Sequence, residues 1–229
     1  MNKTLVSWST GKDSAWLVHV LRQRRDIEIG ALLTTINESA QRVAMHAVRV
    51  DVLRAQAESI GAPLWIVPIP SPCPNAVYEA AMAETVARAV GEGFTHAAFG
   101  DLFLADIRRY REERLAGSGL TPLFPLFDSE PTWTSRLARE MIAAGVKARI
   151  TCLNPKQLDV RFAGREFDAA LLDELPASVD PCAERGEFHT CAYDGPMFRA
   201  PIPVETGIVV ERDGFVFTDL CLIPAASSA

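Results

Sequence analysis

The stretch that most limits how this chain can fold is Ser9-Thr10-Gly11-Lys12-Asp13-Ser14, set between the apolar run Thr4-Leu5-Val6-Ser7-Trp8 and the helical pattern Ala15 to Leu21. A strand that turns at once into a helix leaves backbone N–H groups unpaired at the helix start, where the helix dipole is also positive. An anion fits there, and phosphate is the usual one. Ser9, Thr10 and Ser14 add hydroxyl donors, and Gly11 permits close backbone approach or a positive φ. The spacing is not that of a Walker A loop, G-x-x-x-x-G-K-[ST], because the residue five before Gly11 is Val6 and Lys12 is followed by Asp13. On this motif alone, an ordinary capped helix remains the alternative.

The first half of the chain alternates short apolar runs with longer helical patterns, the mark of a parallel sheet covered by helices on both faces. Strands are expected near residues 5–8, 29–34, 64–68 and 96–99. Helices are expected over 14–24, 47–60 and 75–90, with stops at Gly61-Ala62-Pro63 and Gly91-Glu92-Gly93. Such an open, mostly parallel, doubly wound α/β sheet takes its ligands beyond the carboxyl ends of its strands. The phosphate loop and Gly100-Asp101 both fall there. After Pro125 the pattern changes to a helix over 134–144, a strand over 147–153, a short helix near 167–175, and an alternating hairpin over 204–222 turned by Arg212-Asp213-Gly214. The expected division is a first domain over 1–125 that carries the loop, a smaller α+β domain over 126–224, and a disordered tail over 225–229.

At 229 residues the chain can bury a full core. A net charge of −6 disfavours unspecific attraction to nucleic acid. Arg108, Arg109, Arg111 and Arg114 cluster, but Glu112 and Glu113 interrupt them, which reads as a solvated helix face. No long apolar stretch follows Met1-Asn2-Lys3, so neither a signal peptide nor a membrane span is expected. Five scattered cysteines (Cys73, Cys152, Cys182, Cys191, Cys221) argue against a disulfide framework and for a reducing cytoplasm.

Three segments carry a resemblance. The first loop is similar to the PP-loop, S-G-G-x-D-S, of the N-type ATP pyrophosphatases, with Thr10 in place of the first glycine. Gly100-Asp101 closes the run Thr95 to Phe99 and is followed by Ile107 to Glu112 and Leu120 to Phe127. Near the C-terminus, Cys182, Glu184, Gly186, Glu187, Phe188, His189 and Thr190 match the pattern C-G-E-x-G-E-F-H-T, in which Ala183 replaces a glycine. In this order, over almost the whole chain, the segments resemble the diphthine-ammonia ligase family and its bacterial relatives.

The resemblance implies a HUP, adenine nucleotide alpha hydrolase-like fold. It also implies an enzyme that cleaves ATP to AMP and pyrophosphate, adenylates a carboxylate and forms an amide with ammonia. In the ligase itself the acceptor is diphthine on a translation elongation factor. Bacterial relatives have no diphthamide to make, so the acceptor expected here is a small molecule or another protein. ATP with Mg2+ is the expected cofactor set, a homodimer is compatible with the family, and neither nucleic acid nor membrane is an expected partner.

The same resemblance places ATP over the first loop, making Ser9, Thr10, Gly11, Lys12, Asp13 and Ser14 its binding residues. Lys12 would supply positive charge to the departing pyrophosphate, and Asp13 would coordinate magnesium or orient the loop. Gly100 and Asp101 are the second nucleotide element, with a simple helix cap as the alternative. Thr34 and Thr35 end the second strand, where adenine or ribose would lie. His46 matches a Met-His pair of the family, although a structural histidine explains it as well.

Glu184, Glu187 and His189 form the acceptor cluster. In a strand, Glu187 and His189 share a face, and Glu184 reaches them from the preceding turn. They would attract ammonium, and Glu187 or His189 would deprotonate it. A salt-bridged domain interface is the alternative. Cys182, His189 and Cys191 are close in sequence but lack the paired C-x-x-C spacing and a fourth ligand for zinc. Cys73, between two prolines, is not assigned to the site. Two further functions stand beside the ligase. A tRNA-modifying PP-loop enzyme would carry a basic RNA surface and a cysteine pair, neither of which is evident. A non-catalytic nucleotide-binding or sensing protein of the universal-stress type would share the fold without the acidic block ending in His189-Thr190.

Overall fold

β1 (Asn2–Ser7) is the apolar run that leads into the loop, and it lies inside a sheet because Thr4, Leu5 and Val6 are buried from both faces. The computed structural model describes residues 1–224, and the tail expected at 225–229 lies outside the described residues. α1 (Lys12–Arg22) follows the loop, then β2 (Ile27–Asn37), β3 (Arg42–Val43), α2 (Val50–Ile60), β4 (Leu64–Ile69), α3 (Asn75–Gly91), β5 (His96–Ala98), α4 (Ala105–Leu115) and β6 (Thr121–Leu123). β2 and β5 pair in parallel with β1 on either side, β4 extends the sheet beyond β2, and β6 extends it beyond β5. Only β3, against the far end of β2, is antiparallel. The chain thus winds out to β4, returns, and winds the other way from β5. The reversal opens a crevice at the carboxyl ends of β1 and β5.

The C-terminal part contributes α5 (Thr134–Ala143), β7 (Lys147–Leu153), α6 (Ala169–Glu174), β8 (Phe188–Asp194), β9 (Val204–Arg212) and β10 (Phe215–Leu222). Its four strands form a separate antiparallel sheet in the order β8-β7-β10-β9. The β9–β10 hairpin turns on Asp213 (φ 53°) and Gly214 (φ 79°), two successive left-handed residues, as a two-residue hairpin loop requires. The molecule is a mixed α/β protein consistent with the HUP-like fold.

Alternation along β1 splits the core. Val6 and Trp8 face α1 and α2 and join Leu17, Leu53, Ile150 and Phe188 in a cluster that runs without interruption into the C-terminal sheet. Leu5 faces the other way, into a smaller cluster with Ala31, Phe94, Ala97 and Leu120 under α3 and α4. The helix expected over 47–60 begins only at Val50, because Met45 (φ 63°) and Ala47 (φ 57°) are left-handed and Arg49 is extended. The arginine-rich segment is α4, and three of its arginines pair with acids: Arg108 with Glu112, Arg111 with Asp101 and Arg114 with Glu79. No described helix is long and apolar enough to cross a membrane.

The two sheets are tied through the phosphate loop. Ala192 N–H on β8 donates to the Thr10 carbonyl at 2.9 Å. Gln56 on α2, fully buried, donates from Nε2 to the carbonyls of Ala192 (2.6 Å) and Thr10 (3.1 Å) and accepts from Trp8 Nε1 at 3.2 Å. A buried polar group left without a partner costs about 1–3 kcal/mol. Gln56→Leu leaves Trp8 Nε1 without its partner and removes a bond from the Ala192 and Thr10 carbonyls, and is expected to lower the unfolding free energy by about 1–3 kcal/mol, read as a shift in the urea midpoint with one transition retained.

Candidate active site

Backbone conformation explains the two places where the chain departs from glycine. Thr10 has φ 73° and Ala183 has φ 59°, both in the left-handed region that glycine enters without penalty. Thr10 is buried and its Oγ1 has no hydrogen-bond partner. It does not offer a hydroxyl outward, as the sequence suggested; its carbonyl, bonded to Ala192 and Gln56, holds the loop shape. Gly11 next to it has no room for a side chain, since a Cβ would lie 2.9 Å from His46 Cε1 and 3.2 Å from the Thr190 carbonyl oxygen.

The serines shape the loop from inside. Ser14 Oγ donates to the Gly11 carbonyl at 2.9 Å, and Ser9 Oγ donates to Ser14 Oγ at 3.2 Å. Gly11 is the N-cap of α1 and has no side chain to cap it. Lys12 N–H is taken by Thr190 Oγ1 at 3.1 Å, whereas the N–H groups of Asp13 and Ser14 have no protein acceptor among the described residues. The unpaired donors of the loop therefore lie in its second half, beside Gly100, where a Cβ would stand 3.5 Å from Ser14 N.

Lys12 differs most from expectation. Its side chain is buried, and Nζ donates to Asp13 Oδ2 (2.9 Å) and to the Cys182 carbonyl (2.5 Å), near the Phe167 and Phe188 rings. Burial pulls its pKa down, but Asp13 and the other acids around it outweigh that and hold it charged. The lysine thus joins the first helix to the C-terminal part, with its donors spent on protein. Asp13 is pushed up by burial against the opposing pull of Lys12, and its Oδ1 is buried with no partner. That orphaned oxygen fits a magnesium ligand. One carboxylate holds magnesium only in company with phosphate oxygens and water, so the metal would arrive with the nucleotide. Among the described residues no three His, Cys, Asp or Glu side chains gather to hold a metal alone.

Asp101 is not free, because Arg111 grips both its oxygens, at 2.6 and 3.1 Å. Thr34 is buried, and its hydroxyl donates to the Trp8 carbonyl at 2.7 Å, fixing the start of the loop. It still borders, with Ser9 and Thr35, a cleft of about 110 Å³ at the ends of β1 and β2.

The expected cluster of Glu184, Glu187 and His189 is taken apart by the turn that precedes β8. Ala183 and Gly186, both left-handed, wind residues 180–187 into a tight loop, and Glu187 is buried at its centre. Glu187 accepts from Asp180 N–H at 2.9 Å and from Arg185 N–H at 3.0 Å, one bond to each oxygen, so the buried carboxylate braces the loop. Glu184 leaves the loop in the other direction and accepts from Leu102 N–H at 2.8 Å, next to Asp101. Burial pushes its carboxyl up to about 7, the Leu102 bond opposing, with Asp13 and Asp101 adding to the rise.

His189 lies against His46, which sits over Gly11, with ring centroids 4.6 Å apart and planes tilted by 43°. His46 Nδ1 lies 3.0 Å from the Thr190 carbonyl, which can only accept, so Nδ1 carries the proton and Nε2 keeps a lone pair. Burial lowers His46 to about 3, with His189 adding to the effect, and burial with Lys12 lowers His189 to about 4. The segment carrying His46 is fastened to β10, where Asp219 accepts from Arg42 (2.7 Å) and Arg49 (2.6 Å). Burial raises Asp219, but the two arginines hold it down at about 2.

A family model described as the diphthamide synthase N-terminal domain matches residues 2–92, and one described as the diphthamide synthase C-terminal domain matches residues 133–226. A search of curated proteins returns no match.

Two outcomes follow from these local geometries. A non-glycine residue in the left-handed region costs about 1–2 kcal/mol, part of which glycine returns as chain entropy. Thr10→Gly and Ala183→Gly are each expected to raise the unfolding free energy by about 0.5–1 kcal/mol in urea titrations. The histidines set a pH dependence. Both are depressed below the unfolded value of about 6.5, so their contribution is complete above that pH and is lost as pH falls towards 4 and then 3. Thermal melts across pH 7 to 4 should show this loss, and the His46→Gln/His189→Gln pair should flatten it.

Proposed function

The chain belongs to the diphthamide synthase family, and from that premise we propose that it is a diphthine-ammonia ligase-like enzyme, which adenylates a substrate carboxylate with ATP and forms an amide with ammonia. One observation supports this above the others. The first turn of α1, with unclaimed N–H groups at Asp13 and Ser14, meets Glu184, a carboxyl raised to about 7, at the crevice between β1 and β5. The first feature suits a phosphate and the second suits an ammonium ion, and the proposed reaction needs both.

In the first step a carboxylate oxygen of the acceptor attacks the α-phosphorus of ATP. The bond from that phosphorus to the bridging oxygen breaks, and its electron pair leaves on pyrophosphate. The N–H groups of Asp13 and Ser14 face the charge that develops, and His46 and His189 flank it as neutral rings. An arriving polyphosphate raises both histidine pKa values, so the rings can take up protons as negative charge accumulates. Magnesium, held by Asp13 Oδ1 and the phosphates, would supply further neutralisation. In the second step ammonium gives a proton to Glu184, the nitrogen attacks the acyl carbon, the carbon–oxygen bond to AMP breaks with its electrons leaving on AMP, and the nitrogen gives its surplus proton to the departing phosphate of AMP.

Glu184 takes the part of base because its carboxyl keeps an oxygen outside the Leu102 hydrogen bond, whereas Glu187 has none to spare. Above about pH 7 it is ionised and can accept a proton, and below that it is already protonated. Ammonia-dependent AMP release should therefore rise with pH through an inflection near 7. Glu184→Gln should lose the inflection and about 10²–10⁴ in rate while ATP binding persists. The assay is α-labelled ATP with magnesium, ammonium chloride and cell extract as the acceptor source. AMP and pyrophosphate above the level of extract alone are expected, and protein-dependent ADP would overturn cleavage between the α- and β-phosphates.

A further inference from the structure

Helices α3 and α4 cover the second face of the parallel sheet loosely. Of the 17 residues of α3 only Thr85 and Ala89 are buried, and of α4 only Leu115. The space beneath them is a cavity of about 460 Å³, floored by Leu5, Leu33 and Phe99 and walled by Met82, Val86 and Leu115. Packed interiors do not leave voids of this size, and ligand pockets commonly span about 300–1,000 Å³. Alanines contribute to it: Ala83 and Ala87, one helical turn apart on α3, line the cavity where larger residues would close it.

The cavity is continuous with the phosphate loop. Ser7, Leu33, Tyr78 and Met82 border both it and the smaller cleft beside Ser9, Thr34 and Thr35. The two compartments differ in chemistry. A nucleobase carries ring nitrogens and an amino group that need hydrogen-bond partners when buried. The smaller cleft offers such partners at Ser9 and Thr35, while the larger one offers mostly hydrocarbon. The charged residues lining the larger one are Glu79, Arg111 and Arg114, and both arginines are already paired, Arg114 with Glu79 and Arg111 with Asp101. A ligand with its apolar body in the larger compartment and its polar end at the smaller cleft meets both conditions.

We propose that this cavity holds the apolar body of the acceptor, a small carboxylic acid, with its carboxylate presented at the loop end of the trench. The proposal rests on the ligase reading for why an acid should stand beside a nucleotide. Binding of the acid itself needs no turnover. An ATP assay yielding ADP would therefore overturn the ligase and leave the acid site standing, and absence of acid binding would do the reverse.

The probes are octanoate and 4-phenylbutyrate, titrated calorimetrically into the full chain, with ATP titrated separately. Val86→Trp fills the cavity from the middle of α3, and Ala83→Trp fills it from an exposed position that tolerates substitution, so the second carries the test should the first disturb folding. At least one acid is expected to bind the unaltered protein. Its affinity should fall about tenfold or more in the variants while ATP affinity stays within about twofold. Failure of both acids to bind, or retention of acid binding in Ala83→Trp, would overturn the proposal. Loss of ATP binding in the variants would overturn it too, by assigning the cavity to the nucleobase.

Discussion

The seam between the edge of β8 and the phosphate loop is the constraint on which the rest of the site depends. Two β8 residues make it: the Thr190 hydroxyl accepts from Lys12 N–H, the Thr190 carbonyl accepts from His46, and the Ala192 backbone bonds Thr10 and Gln56. Cys191 between them is buried in the common core. Without the seam the loop would be a surface turn with a left-handed threonine and nothing to keep it so. With it, the backbone that faces an incoming anion is held before the anion arrives, which is the condition under which fixed dipoles stabilise developing charge most cheaply. The C-terminal sheet therefore shapes the loop through its own backbone.

The same seam sets the electrostatics. By drawing β8 over the loop it brings Asp180, Cys182 and Glu184 against Lys12 and Asp13, so that one buried ammonium faces several acids. Lys12 is bonded to Asp13 and to a carbonyl, and beyond it burial raises the Glu184 carboxyl, with Asp13 and Asp101 adding to the rise. On the other side of Gly11 the two histidines lie against each other, half-buried, with both pKa values lowered. The site before ligand thus holds reserve proton capacity on both sides of the loop.

Much of the fold was legible because period and punctuation agreed: β7 occupies 147–153 as expected, and α3 and α5 differ from expectation by a single residue at their ends. The site was legible in which residues gather and not in what each one does. Thr10 and Ala183 were visible as exceptions to a glycine pattern, but only the φ values of 73° and 59° say why glycine belongs there. Glu187 was misplaced because strand alternation was extended one residue too far. β8 starts at Phe188, and the residues before it belong to a turn whose N–H groups need the carboxylate. Lys12 was assigned to phosphate from its position in the loop, yet its long side chain reaches carbonyl and acid groups remote in sequence, which no local pattern encodes. The cavity under α3 was likewise invisible, since an alanine-rich helix reads the same whether it packs closely or stands away from its sheet.

Strain is concentrated where the seam can hold it. Thr10, Met45, Ala47 and Ala183 are left-handed without being glycine, and each borders the loop, the His46 turn or the Glu184 turn. Conformations of this kind cost about 1–3 kcal/mol each and persist only where surrounding bonds over-determine them. Here those bonds are the β8 edge, Gln56 and the pairing of Asp219 with Arg42 and Arg49. The opposite face of the sheet shows no such investment: α3 and α4 are tied across their outer surface by the Glu79–Arg114 pair, and an exposed pair of this kind contributes little. A protein arranged in this way can keep one face rigid for a reaction whose geometry does not vary and leave the other loose for a ligand whose shape can. Local stability that differs between two faces of one sheet is the physical form such a division takes.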